Sequence, residues 1–428
     1  MHPCAHSLPR VAYFPDSFHE VNGVAHTSRH FEQYARRHGL PFLCVRAGER
    51  TPALVREGSV WTLELPRGVL SFALEKDLSF DPGYLRHLPV IADVLDEFAP
   101  TLIHITGPSE LGMLGAAVAA HSELPLAASW HTNVHEYLAR RSEWLLRLLP
   151  GDQPHTAGRA IEEWTLAATA RFYAQAQVLF APSQSLCEQL RALTGRPCHR
   201  MPRGVDAALF TPSRRLRAPD AQPFTLGFVG RLSVEKNVAL LAAIHDQLLA
   251  AGVRNTRFVI VGQGAEEPHL RARMPKSEFA GVLRGEALAR AYAEMDLFVF
   301  PSHTDTFGNV VLEALASGVP AIVTPDGGPA AILRDAIGSG AGCVGRIAPD
   351  EDFAAAIQSL LDHPAELAAM RVNARRYALT ATWDAVFDGV YRGYADALRG
   401  AVHSADSPAM RLAAEWPLRH AVRQPLSA

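Results

Sequence analysis

Cysteine is sparse in this chain of 428 residues. The five that occur, Cys4, Cys44, Cys187, Cys198 and Cys343, are odd in number and form no C-x-x-C pair. That usage suits a reducing compartment and excludes a disulfide framework. An excess of either charge is missing too: 41 basic residues face 44 acidic ones, a net charge of −3. The strongly basic balance of a dedicated nucleic-acid binder is therefore absent, and no nucleic-acid partner is expected. No apolar run approaches the roughly 18 residues of a membrane span. The longest candidate, over residues 111–130, is broken by His121, Glu123 and Pro125. The opening MHPCAHSLPR has no apolar core of the kind a signal peptide carries. The expectation is a cytoplasmic protein, with peripheral contact at the inner face of the membrane left open. Segment 140–149, RRSEWLLRLL, reads first as an amphipathic helix packed on its own domain, and second as a membrane-surface element.

What is present is apolar material in quantity. Hydrophobic residues make up 48% and mean hydropathy is +0.01. Wholesale disorder is excluded, and the length suggests two large domains. Short apolar runs alternate with amphipathic segments. Val11–Phe14, 42–45, Leu102–Ile105, Leu126–Ser129 and Val178–Ala181 read as buried strands. Segments 27–38, Leu88–Phe98 and 111–121 read as helices between them, followed by a longer helical region over 136–149 and 159–175. Such alternation predicts a parallel sheet covered on both faces. Residues 202–223, rich in Pro, Arg and Ala, read as an interdomain linker whose Arg214, Arg215 and Arg217 are solvated. A second series follows, with strands at 225–229, 257–261, Leu297–Phe300 and Ala321–Val323. The reading is α/β, with two doubly wound domains in tandem. The domains are placed at 1–205 and 206–380, followed by a closing helix at 381–400 and a tail at 401–428.

The densest chemistry lies in PSHTDTFGNVVLEALASGVP, residues 301–320. A strand stops at Pro301, a polar loop follows, and a helix begins near Gly308 or Asn309. Its first turn aims free backbone N–H groups at the loop, a ready anion site suited to a diphosphate. Glu313 stands among Val310, Val311, Leu312, Ala314 and Leu315, where a carboxylate needs partners. The vicinal hydroxyls of a ribose are one solution, and a cap or core ion pair is the other. GFVGRLSVEKN, residues 227–237, ends a strand at Gly230 and carries Arg231 and Lys236 across a short loop. Two cations there suit a diphosphate leaving group, although alone they read as a solvated pair. After the first strand, Asn22-Gly23 opens an irregular loop where glycine permits close approach of a phosphate or sugar. His131 and His135 are four apart but lack a third ligand, so no metal is expected. Gly262 and Gly264 do not complete G-x-G-x-x-G, so no nicotinamide dinucleotide, and no other cofactor, is expected.

Over residues 8 to about 395 the chain resembles the retaining glycosyltransferases of family 4. The segment from Asp305 to Glu313 is similar to the family's E-x7-E signature, with Asp in place of the first Glu. The resemblance implies a GT-B fold, two Rossmann-like domains facing across a cleft. It implies that Glu313 holds the donor ribose and that Asp305 contacts the donor sugar near the reacting carbon. Phe307, Gly308 and Asn309 would then present backbone N–H groups to sugar and phosphates. Arg231 and Lys236 fall on the family's diphosphate-binding positions. Gly23 and Val24 match its V-N-G-V loop near the donor phosphate, and His131 matches a His facing the transferred sugar. Pro202-Arg203-Gly204-Val205-Asp206 matches an interdomain turn, read as hinge geometry rather than chemistry. The implied partners are a nucleotide diphosphate sugar, GDP-mannose or a UDP-hexose, and a lipid or glycan acceptor hydroxyl. Two alternatives stay open: a non-catalytic nucleotide-sugar-binding subunit, and a GT-B epimerase or phosphorylase. Scarcity of lysine weighs against a phosphorylase that needs a Schiff base.

Overall fold

The computed structural model describes residues 8–20, 23–48, 51–68, 71–75, 78–81, 83–130, 167–218, 221–305 and 307–402. Two compact units emerge: Met1–Pro202 together with Val386–Ala428, and Arg203–Ala385.

In the first unit the strands are β1 (Val11–Phe14), β2 (Phe42–Gly48), β3 (Ala53–Glu57) and β4 (Val60–Pro66), then β5 (Phe72–Glu75) and β6 (Leu78–Phe80). They are followed by β7 (Leu102–Ile105), β8 (Leu126–Ser129), β9 (Val178–Ala181) and β10 (Cys198–Arg200). The main sheet runs β10-β9-β8-β7-β1-β2-β4-β3. β1, β7, β8 and β9 are buried at every position, as continuous apolar runs require when helices cover both faces. Two features depart from an all-parallel sheet. β3 pairs β4 antiparallel at the sheet edge, and β5 with β6 forms a separate antiparallel ladder. The first helix spans Gly23–Arg37, opening four residues ahead of the expected 27. Ser109 and Ser183 cap the helices Glu110–His121 and Gln184–Thr194 by accepting from the N–H of Gly112 and Leu186. Most of the helical region expected over 136–175 lies outside the described residues, as does the tail beyond 402.

The second unit contains β11 (Phe224–Val229), β12 (Thr256–Val261), β13 (Glu278–Gly281), β14 (Leu297–Phe300), β15 (Ala321–Val323) and β16 (Gly345–Ile347). All pair in parallel, in the order β13-β12-β11-β14-β15-β16. The chain winds one way from β11 and then the other, so strand order reverses between β11 and β14. Ligands bind at that crevice in open α/β sheets, outside the carboxyl ends of the strands.

The solvated linker expected over 202–223 is corrected. Arg215 and Arg371 each place a guanidinium 2.7 Å from Oδ1 of Asp296, and Arg217 lies 3.5 Å from Oδ2. The buried Asp296, just ahead of β14, also accepts from the backbone N–H of Thr225 at 2.8 Å. One carboxylate withdrawn from water needs cations and donors around it, and the basic segment supplies two of the three. Residues 203–218 are thereby fastened to the second unit.

Candidate active site

At the strand-order reversal the second unit holds a cavity of about 190 Å³. Val229 and Gly230 from the end of β11, with Phe300 from the end of β14, form one wall. Lys236 and Asp305 face it from the two loops that follow these strands. Phe307, Gly308, Asn309 and Val310 contribute the start of the next helix.

The two loops are tied together. Lys236 Nζ donates to Asp305 Oδ2 at 2.8 Å, with about a fifth of each side chain exposed. The Thr304 hydroxyl donates to the carbonyl of Glu235 at 3.1 Å. The first turn of the helix Gly327–Gly338 supports Asp305 from behind, where the backbone N–H of Gly328 donates to its carbonyl at 2.9 Å. Only glycine fits at 328: a Cβ there would lie 2.3 Å from Phe307 Cα. Gly308 caps the helix Asn309–Ala316 in the left-handed region at φ 85°, and a Cβ would meet Pro329 at 2.9 Å. That helix has no side-chain cap. The Val311 N–H donates to the Gly308 carbonyl at 2.9 Å, and the N–H groups of Asn309 and Val310, on the cavity wall, are left for a ligand. Asn309 Oδ1 is buried and has no hydrogen-bond partner among the described residues.

Glu313 follows Asn309 by four residues, on the same helix face. Its Oε2 accepts from the Tyr292 hydroxyl at 2.9 Å. Burial raises its pKa to about 7, which the Tyr292 hydrogen bond only partly offsets. Its own burial, and after that the same carboxylate, push the Tyr292 hydroxyl far above its ordinary value. A carboxyl group with a single donor still has acceptor capacity for ligand hydroxyls.

Glu313 stands one turn beyond the residues that line the cavity, and the remaining expected residues lie elsewhere. Arg231 does not line the cavity: its side chain is 73% exposed and its guanidinium is 3.8 Å from Glu235. Gly23 and Val24 are the first residues of the helix Gly23–Arg37 in the other unit. His131 lies outside the described residues. Among the described residues no cluster of three or more His, Cys, Asp or Glu side chains is arranged for a metal.

Sequence reasoning missed two residues. Tyr292, on the helix Gly285–Ala293, reaches Glu313 across 21 residues of sequence, and nothing local announces it. Arg203, set aside as part of a hinge, lines the cavity instead. Its guanidinium carbon is 5.8 Å from the centre of the Phe307 ring, and burial lowers its pKa. A signal was available: a lone cation between Pro202 and Gly204 at the entry to the second domain.

The chain is 33% identical over 398 residues to a GDP-mannose-dependent alpha-mannosyltransferase from Mycolicibacterium smegmatis, covering 90% of this chain and 96% of that protein. Residues 21–209 match the family described as Glycosyltransferase Family 4, and residues 223–363 match Glycosyl transferases group 1. The chain belongs to glycosyltransferase family 4. It is a glycosyltransferase enzyme. The sulfoquinovosyl transferase SQD2 of Arabidopsis thaliana is 29% identical over 336 residues, covering 74% of this chain and 60% of that one. Among solved structures, the sucrose-phosphate synthase from Thermosynechococcus elongatus superimposes with a TM-score of 0.62 at 18% identity, over 91% of this chain and 99% of that one. The shared fold is GT-B, two parallel-sheet α/β domains, as family 4 membership implies.

Proposed function

We propose that this family 4 enzyme transfers a hexosyl unit from a nucleotide diphosphate sugar to a hydroxyl of a lipid or glycan, with retention at the anomeric carbon. GDP-mannose is the preferred donor in this reading and a UDP-hexose the second choice. The observation that carries the proposal is the cavity at the β11/β14 reversal, where Lys236, Asp305 and an uncapped helix N-terminus converge. The donor assignment draws on the relative that shares 33% identity over 90% of the chain.

The chemistry follows from charge. As the glycosidic bond breaks, negative charge grows on the departing diphosphate. The Lys236 ammonium and the first-turn N–H groups near Gly308 and Asn309 stabilise it there. Asp305 holds Lys236 in place and accepts from a hydroxyl of the transferred sugar. Glu313 accepts from the ribose hydroxyls. The acceptor hydroxyl enters on the face that the diphosphate leaves, and its proton passes to a phosphate oxygen, so no separate protein base is required. Arg231, exposed on the Lys236 loop, is a secondary contributor. The roles of Gly23, Val24 and His131 rest on family resemblance alone.

A thermal-shift panel of GDP-, UDP- and ADP-sugars tests the donor. Turnover of the stabilising donor with mannosyl- and glucosyl-accepting lipids, followed by NMR of the product linkage, tests transfer and retention. Turnover is expected to persist in EDTA. Loss in EDTA with recovery on adding Mn²⁺ would overturn the metal-free mechanism. Tight donor binding without transfer to any acceptor would favour a non-catalytic subunit.

A further inference from the structure

The half-buried arginines of the second unit are satisfied with one exception. Arg215 and Arg371 meet Asp296, and Arg217 donates to Thr225 and to the carbonyl of Pro223. Arg375 donates to the carbonyls of Phe210, Ala316 and Ala207. Arg214, Arg257 and Arg346 also have partners. Arg203 has neither a carboxylate nor a carbonyl among the described residues, only the ring of Phe307 at 5.8 Å. A cation drawn out of water without a counter-charge is costly, and such a group is retained where a ligand completes it.

We propose that Arg203 is a donor-binding residue, and that its guanidinium holds the pyrophosphate opposite Lys236, in the role that motif resemblance assigns to Arg231. This rests on the reading of the cavity as a nucleotide-sugar site. Charge on the wall supports it. Lys236 is already engaged by Asp305 at 2.8 Å, so this pair alone offers a diphosphate little net positive charge. Arg203 restores a net positive charge to a wall that also carries the helix N-terminus. Arg231, 73% exposed beside Glu235, acts through solvent and is screened. A guanidinium suits the task because its planar fork grips two phosphate oxygens at once while its face rests on an aromatic ring. The same wall holds Asn309 Oδ1, a buried acceptor without a donor. The ligand that satisfies both must bring anionic oxygens to Arg203 and a hydroxyl to Asn309, as a sugar diphosphate does.

The test is calorimetric titration of the full chain with GDP and UDP, each beside its nucleoside monophosphate. Arg203→Met is expected to weaken the diphosphate that the wild type binds by about tenfold or more, the loss of one charged hydrogen-bonding group. The monophosphate should change far less, and Arg203→Lys should recover part of the loss. Arg231→Met should cost the diphosphate less than Arg203→Met does. Diphosphate affinity unchanged in Arg203→Met overturns the inference. Equal loss for mono- and diphosphate also overturns it, because that pattern marks a structural role. Should the wild type bind neither diphosphate, the site reading fails together with the inference. Wild-type binding with an unaffected variant removes the inference alone. A measurement without substitution guards against misfolding: inorganic pyrophosphate should protect Arg203 of the wild type from phenylglyoxal, read by peptide mass spectrometry. Labelling that pyrophosphate does not slow counts against the proposal.

Discussion

Glu313 carries a carboxyl group balanced between its two protonation states near neutral pH. Its folded pKa of about 7 comes from burial, and its partner Tyr292 only partly restores the charged form. Because the folded value is raised, the stability it contributes is full below the ordinary glutamate range and is lost as pH rises through about 7. Ribose hydroxyls donating to the carboxylate, as proposed, would act the other way and favour its charge. Donor affinity is therefore expected to strengthen as pH rises through that region, and binding just below it should release a proton. Titration in buffers of different ionisation enthalpy reads this directly. In Glu313→Gln both the pH slope and the proton release should vanish, while thermal stability above neutrality rises. A pH-independent affinity in the wild type would remove Glu313 from the ribose. Lys236→Ala addresses the diphosphate end of the same ligand. It should lower kcat by about a hundredfold or more if the ammonium acts on the leaving group. Near-normal turnover in a folded Lys236→Ala enzyme would end that assignment. Asp305→Glu, which adds one methylene, should keep activity measurable in a donor-turnover assay.

Loops, more than strands or helices, set how much of the site was legible in the sequence. β1, β7, β8, β9, β14 and β15 are fully buried runs, apolar throughout but for His104 and Ser129, and that near-continuity marks them in the sequence. β10, β13 and β16 are three or four residues long and only part-buried, so no period marks them. Within the site, Lys236, Asp305, Phe307, Gly308 and Asn309 do meet in one cavity, because each lies within a few residues of a legible strand end. Tyr292 and the Asp296 cluster were hidden because their partners are remote. Arg371 meets Asp296 across 75 residues, and no local composition encodes that. The linker is where this matters most, since a segment that looks solvated is held by one carboxylate. Asp296→Ala would take the counter-charge from three guanidinium groups, two of them hydrogen-bonded to it at 2.7 Å, and leave them their carbonyl acceptors. The expected loss is about 3–5 kcal/mol, measured by urea unfolding. Asp296→Asn, which keeps the acceptor for Arg215 but not the charge, should fall between. A loss within experimental error in both would mean that residues 203–218 are not anchored by this cluster.

At the scale of the molecule, the order of the chain differs from the order of its units. The first unit is begun by residues 1–202 and completed only by residues from Val386 onward. The helix Trp383–Val402 supplies what is missing. Phe387 stacks on Phe31 with ring centres 4.5 Å apart, and the Tyr394 hydroxyl meets Nδ1 of the buried His104 across 290 residues. The second unit is continuous in sequence and holds the cavity. The two should therefore respond differently to one core substitution. Phe387→Ala removes a buried ring and should cost the first unit about 3–5 kcal/mol. A nucleoside diphosphate that binds the second unit stabilises that unit in proportion to its concentration over Kd. Scanning calorimetry of the full chain with and without GDP, or UDP where that is the ligand bound, separates the two effects. The transition lowered by Phe387→Ala should be the one the ligand does not raise, and ligand affinity below both transitions should match wild type. A single transition moved by substitution and ligand alike would show that the units melt as one body, and that the late helix stabilises the donor site as well as the unit it completes.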